Sequence, residues 1–256
     1  MRHIATDALV LHLFDYRETS RIVRLVTRDA GVVSVVARGA RRPRNQFGAA
    51  LDLFASGVAH IRMHPTRDLH ALNGFEAAGS RPELGESLDR FAAASVISEL
   101  CLRFGRESET GSLYATAIES LDAVVMAAPD RAVAAGLASA WRLVAEFGFA
   151  PALDQCAVCH GALAGEVMFH HRAGGALCES CARQARGGRR LPAEARATLG
   201  SWIAGSDIDV DSASVRAHMR LLREFLEEHL SDGRPLRAFA AWEQRQGGRS
   251  MAEAAP

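Results

Sequence analysis

Five cysteines are the residues of this chain with the most defined chemistry, and four of them are paired by spacing. Cys156 and Cys159 form one C-x2-C pair, Cys178 and Cys181 form a second, and 18 residues lie between the pairs. Two thiolates two residues apart sit on a tight knuckle and can share one ion. Two knuckles bring four sulfurs into a tetrahedron, a donor set that suits zinc. The spacing belongs to the class read as a zinc site. An all-thiolate set leaves no open position for water, so one Zn2+ on these residues is expected to be structural. His160, His170 and His171 lie in the same stretch and could replace a ligand. With four well-spaced cysteines present, they read as surface polar residues. No H-x-E precedes the cysteines, as a zinc deaminase requires, and H-E-x-x-H is absent. Cys101, between Leu100 and Leu102, reads as a buried thiol.

A second group of residues could hold phosphate. Arg38-Gly39-Ala40-Arg41-Arg42-Pro43-Arg44 places four arginines in seven residues with no acid. Phe47 follows, and Phe14, Tyr16 and Phe54 are near in sequence. Arginines that neutralise phosphates beside aromatic rings that stack bases are how small barrels hold single strands. Taken alone, such a run is also what a solvated charged loop looks like. Arg21, Arg24 and Arg28 add charge along one strand; alternation puts Arg24 and Arg28 on one face and Arg21 on the other. Arg24 joins Arg38, Arg41, Arg42 and Arg44 as a candidate DNA contact.

The net charge is zero over 256 residues, but it is unevenly spread. Residues 1–80 carry +4, 81–150 carry −4, 151–190 carry +2 and 191–256 carry −2. A basic front is what a polyanion partner would select. All the non-histidine bases are arginine, so a P-loop, which needs lysine, is excluded. No G-x-S-x-G appears either, and the chain reads as a binding protein, not an enzyme. The first residues lack a basic start followed by an apolar run. The most apolar window, 132–150, is interrupted by Arg142 and Glu146. A cytoplasmic protein is expected, and there paired cysteines read as metal ligands before disulfides.

These residues need elements to position them. Strands are expected at Ile4 to Phe14, Arg21 to Thr27, Val32 to Ala37, Leu51 to Met63 and Leu69 to Phe75, with a turn at Asp29-Ala30-Gly31. Five strands in this length fit a small barrel, most naturally an OB-fold, with the basic run as the loop after the third strand. Helices are expected from Leu84 to Phe104 and from Gly111 to Ala127. A third should run from an Asp130 cap to about Phe147, and a fourth from Pro192 to Ala204. A long one should start at Ser212 or Ser214, with Val215, Met219, Leu222, Leu226 and Leu230 as its core stripe and Gly233 past its end. Val167-Met168-Phe169, Gly174-Gly175 and Ala176-Leu177 read as a ribbon hairpin carrying the second knuckle. Residues 247–256 read as a loose tail. The expected fold is α+β and multidomain. An N-terminal OB-type β-barrel occupies 1–80, and an α-helical domain, 81–256, carries a four-cysteine zinc-ribbon insert at about 154–185.

The order of these features resembles the RecO family of bacterial DNA repair and recombination mediators. The resemblance rests on Tyr16-Arg17-Glu18-Thr19-Ser20, the Thr27 to Gly31 turn, Ala37-Arg38-Gly39-Ala40-Arg41-Arg42, Leu51-Asp52-Leu53-Phe54 and the cysteine quartet within a helical domain. It implies an N-terminal OB-fold, binding of single- and double-stranded DNA, and annealing of complementary strands. It also implies work beside RecR and single-stranded DNA-binding protein in loading RecA, hence a nucleoid-associated location. Contact with DNA transfers by that resemblance to Arg38, Arg41, Arg42 and Arg44. Family members often have lysine in this run. Two further readings share the cysteines: a zinc-ribbon transcription or translation factor that reads nucleic acid with the ribbon, and a redox-regulated zinc chaperone.

Overall fold

The structure is a computed structural model and describes residues 2–44, 47, 50–105, 111–206, 208, 210–230 and 234–253. The chain forms two compact units, residues 1–126 and 127–256.

The first unit is built on a closed barrel of β1 (Arg2–Tyr16), β2 (Ser20–Thr27), β3 (Gly31–Ala37), β4 (Ser56–Met63) and β5 (Leu69–Gly79). The order round the barrel is β1-β2-β3-β5-β4. One half of the long β1 pairs with β4 and the other with β2, both antiparallel. The parallel β3–β5 pairing completes the wall. This is the OB-type barrel expected from the strand pattern. Valines at 32, 33, 35 and 36 suit a pleated wall, and Val33 and Val35 join Val10, Val23, Leu25 and Ile61 in the core. The β2–β3 turn is locked by Thr27, whose hydroxyl donates to Gly31 O at 2.9 Å and accepts from the Ala30 N–H at 3.1 Å.

The fourth strand starts later than its apolar run suggests. Strand geometry begins at Ser56; Leu51, Phe54 and Ala55 precede it as a buried segment against the barrel. The Phe54 N–H donates to Val10 O and the Val10 N–H to Ala55 O, each at 2.9 Å, with Phe54 at φ +62°. An apolar run signals burial, and here part of that burial comes from a plug, not from the wall.

Helix α1 (Glu83–Glu86) is divided from α2 (Leu88–Phe104) by an extended Ser87, where the periodicity predicts one helix. Together with α3 (Ser112–Met126), α2 packs on β1 and β2.

The second unit opens with α4 (Ala132–Glu146), most of whose residues are buried, including Trp141. Its N-cap is Arg131, without a side-chain cap, in place of the expected Asp130. Next comes a three-stranded sheet, β7-β6-β8, of β6 (Val167–His170), β7 (Gly175–Leu177) and β8 (Arg189–Leu191). The short helix α5 (Glu179–Gln184) lies between β7 and β8. Gly175 must be glycine: a Cβ there would meet Ala152 O at 2.3 Å. Helices α6 (Ala193–Ile203), α7 (Ser212–His229) and α8 (Arg237–Glu253) complete the unit. Helix α7 starts at Ser212, as expected, and Asp211 caps it, accepting from the Ser214 N–H at 2.7 Å. Met219, Leu222, Leu226 and Leu230 are buried as the stripe requires, and Val215 is half-buried. Gly233 lies outside the described residues. Residues 247–253 belong to α8, against the expectation of a loose tail.

Candidate nucleic-acid interface and metal centre

The basic run leaves β3 and folds back on the β1–β2 turn. Gly39, at φ +72°, lets the chain reverse, and the Arg42 N–H donates to Gly39 O at 2.9 Å. The Arg41 N–H donates to Thr19 O at 3.0 Å, which pins the loop to the turn. Arg38, Arg41, Arg42 and Arg44 are all exposed. Arg41 leans on Asp15, 3.5 Å away, which also meets Arg21 at 3.5 Å. Arg38 and Arg42 turn into a cleft of about 1220 Å³.

That cleft is strongly basic. The β1–β2 turn contributes Arg17, the run contributes Arg38 and Arg42, and the end of β4 with its following loop contributes Arg62 and Arg67. Among the described residues lining it there is one acid, Glu18. Burial first, then Arg67, His70 and Arg62, hold the His64 imidazole below its ordinary pKa. Arg17, Arg62 and Arg67 carry no signal along the sequence, because they are isolated there and meet only when two turns converge. The signal that could have found them is positional: the first and last interstrand loops of an OB-fold flank its binding face.

Arg24 sits apart from this cleft. It is half-buried, and its guanidinium donates to Leu102 O at 3.2 Å near the end of α2. Burial lowers its pKa, and its Nε has no hydrogen-bond partner among the described residues. Its geometry is that of a strut between barrel and helix. Arg28 faces Asp7 at 2.8 Å and lies over the Tyr114 ring. Phe47 and Phe54, named above beside the basic run, are buried and offer no ring face to a base. Phe14 is exposed and Tyr16 half-buried.

In the second unit the sulfurs of Cys156, Cys159, Cys178 and Cys181 lie within 4.8 Å of one another. The Cys159 and Cys178 sulfurs are 3.7 Å apart. A tetrahedral thiolate site with bonds of about 2.3 Å has edges of roughly 3.8 Å, so the quartet can hold a metal ion. The first knuckle is closed by the Cys156 N–H to Gly161 O at 2.8 Å and the His160 N–H to Cys156 O at 2.9 Å. Burial opposes ionisation of Cys156, but the N–H groups of Cys159, Cys178 and Val158 overcome it and bring the thiol down to about 6. The Ser180 hydroxyl, then the Cys181 N–H, lower Cys178. Cys181 is pushed up to about 12 by its neighbour Cys178, by burial and by the other two sulfurs. His170 is buried, not a surface residue: its Nδ1 accepts from the Ala173 N–H at 3.2 Å and its Nε2 lies 3.1 Å from Arg186 O. Cys101 is buried, and burial raises its thiol to about 12.

Residues 1–81 match the family described as Recombination protein O N terminal, and residues 85–238 match Recombination protein O C terminal. The chain belongs to the RecO family. Among its relatives, DNA repair protein RecO of Anaeromyxobacter sp. (strain Fw109-5) is 35% identical over 90% of this chain and 91% of that protein. DNA repair protein RecO of Symbiobacterium thermophilum is 34% identical over 87% and 86%. That of Myxococcus xanthus is 31% identical over 93% and 96%. The RecO N-terminal match spans all five barrel strands and the arginine cleft, and the C-terminal match spans the four cysteines. Among the described residues no helix is long and apolar enough to cross a membrane.

Proposed function

We propose that this RecO-family chain is a DNA repair and recombination mediator that binds DNA through the arginine cleft of its barrel. The observation that carries this reading is the convergence of Arg17, Arg38, Arg42, Arg62 and Arg67 on one cleft with a single acid. Arginine is always charged and grips phosphate with two N–H groups at once. Each contact releases a condensed counterion from the strand. Two strands held near one cationic surface repel each other less and meet at raised effective concentration, so complementary sequences pair. No nucleotide hydrolysis is called for, and the protein acts as a mediator instead of an enzyme. Family membership supports RecR and single-stranded DNA-binding protein as partners and RecA loading as the outcome, in the cytoplasm at the nucleoid.

The four cysteines are assigned one Zn2+, which cross-links the two knuckles and supplies no reaction. Cys156 and Cys159 hold it from one side, Cys178 and Cys181 from the other. The test of the DNA reading is a salt titration with labelled single- and double-stranded DNA. In an Arg38→Ala, Arg62→Ala, Arg67→Ala variant, affinity for both should drop. The slope of log affinity against log salt should flatten by roughly 0.7 per lost contact on single strands. Unchanged affinity and slope would sink it.

A further inference from the structure

The outer wall of the barrel carries a row of rings beside the cleft, and a single bulge puts it there. Along β1, Val10 pairs with Leu25 and His12 with Arg24, so Leu11 is an extra residue without a partner. An extra residue shifts the phase of a strand. Before the bulge Ala8 and Val10 point into the barrel core; after it Leu13 does, and His12, Phe14 and Tyr16 point outward. Without the bulge these three rings would face inward. Leu9 and Leu11 are fully buried, whereas Phe14, further along the same strand, is 43% exposed.

The rings are not scattered. Phe14 and His12 stack with centroids 4.2 Å apart and planes 29° from parallel. The Arg17 guanidinium lies 5.2 Å from the Tyr16 ring centroid, and both residues line the cleft. The row through Phe14 crosses to Ile22, then Val36, then Ala71, of which the last two line the cleft. The wall therefore runs without interruption from stacked rings to arginines. A lone exposed apolar side chain is ordinary, but here exposed Phe14 is continued by half-buried Ile22, Val36 and Ala71 to a charged cleft, which makes one surface a ligand can cover. The charge selects a polyanion, and flat faces select one whose bases are unpaired.

We propose that His12, Phe14 and Tyr16 form a base-stacking strip for single-stranded nucleic acid, with the cleft arginines taking its phosphates. This rests on the cleft reading above and adds a reason for the protein to tell single strands from duplex, whose bases are already stacked. Stacking of a base on an aromatic side chain is worth about tenfold or more in affinity, as measured by truncation.

The experiment uses the full chain and three ligands: a thymidine single strand, a strand of equal length whose bases are largely removed, and a duplex. Phe14→Ala and Phe14→Leu should each lose on the order of tenfold in affinity for the thymidine strand, while the base-free strand and the duplex bind as before. Phe14→Tyr, which keeps the ring, should bind as wild type. Phe14→Leu keeps the bulk on the strand, so its loss cannot come from a damaged barrel. The strip is overturned if both variants hold the thymidine strand normally, or if they lose the base-free strand equally. Failure of the cleft reading looks different: the Arg38→Ala, Arg62→Ala, Arg67→Ala variant would then bind all three ligands like wild type.

Discussion

Arginines gather in two places in this chain, and carboxylates treat the two groups differently. In the cysteine module Arg172 meets Glu228 at 3.5 Å, Arg183 meets Glu179 at 3.3 Å and Arg190 meets Glu166 at 2.9 Å. Arg189 forks onto Glu224, its Nε donating at 2.7 Å, and the pairing lowers the pKa of the carboxylate and raises that of the arginine. In the barrel cleft Arg38, Arg62 and Arg67 have no ion pair among the described residues, and Glu18 is the one acid in the lining. An exposed ion pair holds its arginine only weakly, whereas an arginine with no acid beside it has no pair to break before it meets a ligand. Counting arginines along the chain makes the module look like a second nucleic-acid reader. Among the described residues, Arg172, Arg183, Arg189 and Arg190 of the module each meet a carboxylate, and Arg38, Arg62 and Arg67 of the cleft are not among the arginines that do.

The comparison yields four expectations beyond the cleft titration. The largest concerns metal. Cys178→Ser should reduce bound zinc from about one per chain to none and unfold the knuckles, since structural zinc is worth on the order of 10 kcal/mol in small modules. Elemental analysis and hydrogen exchange over residues 152–191 would show it. DNA affinity should stay within about twofold of wild type; a collapse in affinity would move the reader to the ribbon.

Next in size is acid sensitivity of the second unit. His218 is 2% exposed, packs on Trp202 and has no hydrogen-bond partner on either ring nitrogen among the described residues. Burial lowers its pKa to about 4. An unfolded histidine titrates near 6.5, so the folded state resists the proton that the unfolded state accepts. The stability this gives is fully present above about pH 6.5 and is lost as pH falls toward about 4, by roughly 3 kcal/mol in all. Denaturant unfolding against pH should show that slope in wild type, and His218→Leu should flatten it.

The third change is smaller. Replacing Arg172, Arg183 and Arg190 by alanine should leave the salt slope of DNA binding unaltered and shift stability by no more than about 1 kcal/mol per pair, because these pairs are solvent-exposed. Flattening of the slope would mean that the carboxylates release their arginines to DNA.

The smallest is a proton effect of opposite sign in the first unit. His64 is depressed by burial and by Arg67, His70 and Arg62. Bound phosphates would offset that positive field, raise the imidazole pKa and favour its protonated form. DNA affinity should therefore be lowest above the bound-state pKa and climb as pH falls through it toward the free-state value. Proton NMR of His64 with and without a single strand measures the shift; an unmoved pKa would place the phosphates elsewhere. Acid thus loosens one unit and tightens the grip of the other.

How much of this is legible in the sequence follows from where each signal resides. The cysteine quartet is readable because ligand spacing is a local property of a knuckle. The barrel is readable because valine runs and a Thr27–Gly31 turn are local too. The cleft is half readable: Arg38 and Arg42 belong to a dense run, while Arg17, Arg62 and Arg67 are brought in by the closure of the wall. Leu51 and Phe54 look like strand residues because apolarity reports burial and not geometry. The strand phase is not readable at all, since nothing in Leu9-Val10-Leu11-His12-Leu13-Phe14 announces that Leu11 drops out of register. The end of helix α8 escapes the sequence reading because Gly247 and Gly248 oppose helix locally, and the helix forms across them nonetheless.

The parallel seam between β3 and β5 also sets an order of events during synthesis. Ser34 through Ala37 pair with Leu69 through Leu72, and Arg2 through Leu9 pair with Met63 through Ser56. Such distant pairings are slow to form, because a long loop must be closed first. A chain emerging from the ribosome would hold β1, β2 and β3 as an open meander, both edges bare, until β4 and β5 had followed. Through that interval the nascent barrel is a target for strand pairing with neighbouring chains, and the exposure ends only after residue 79 has emerged and β4 and β5 have paired.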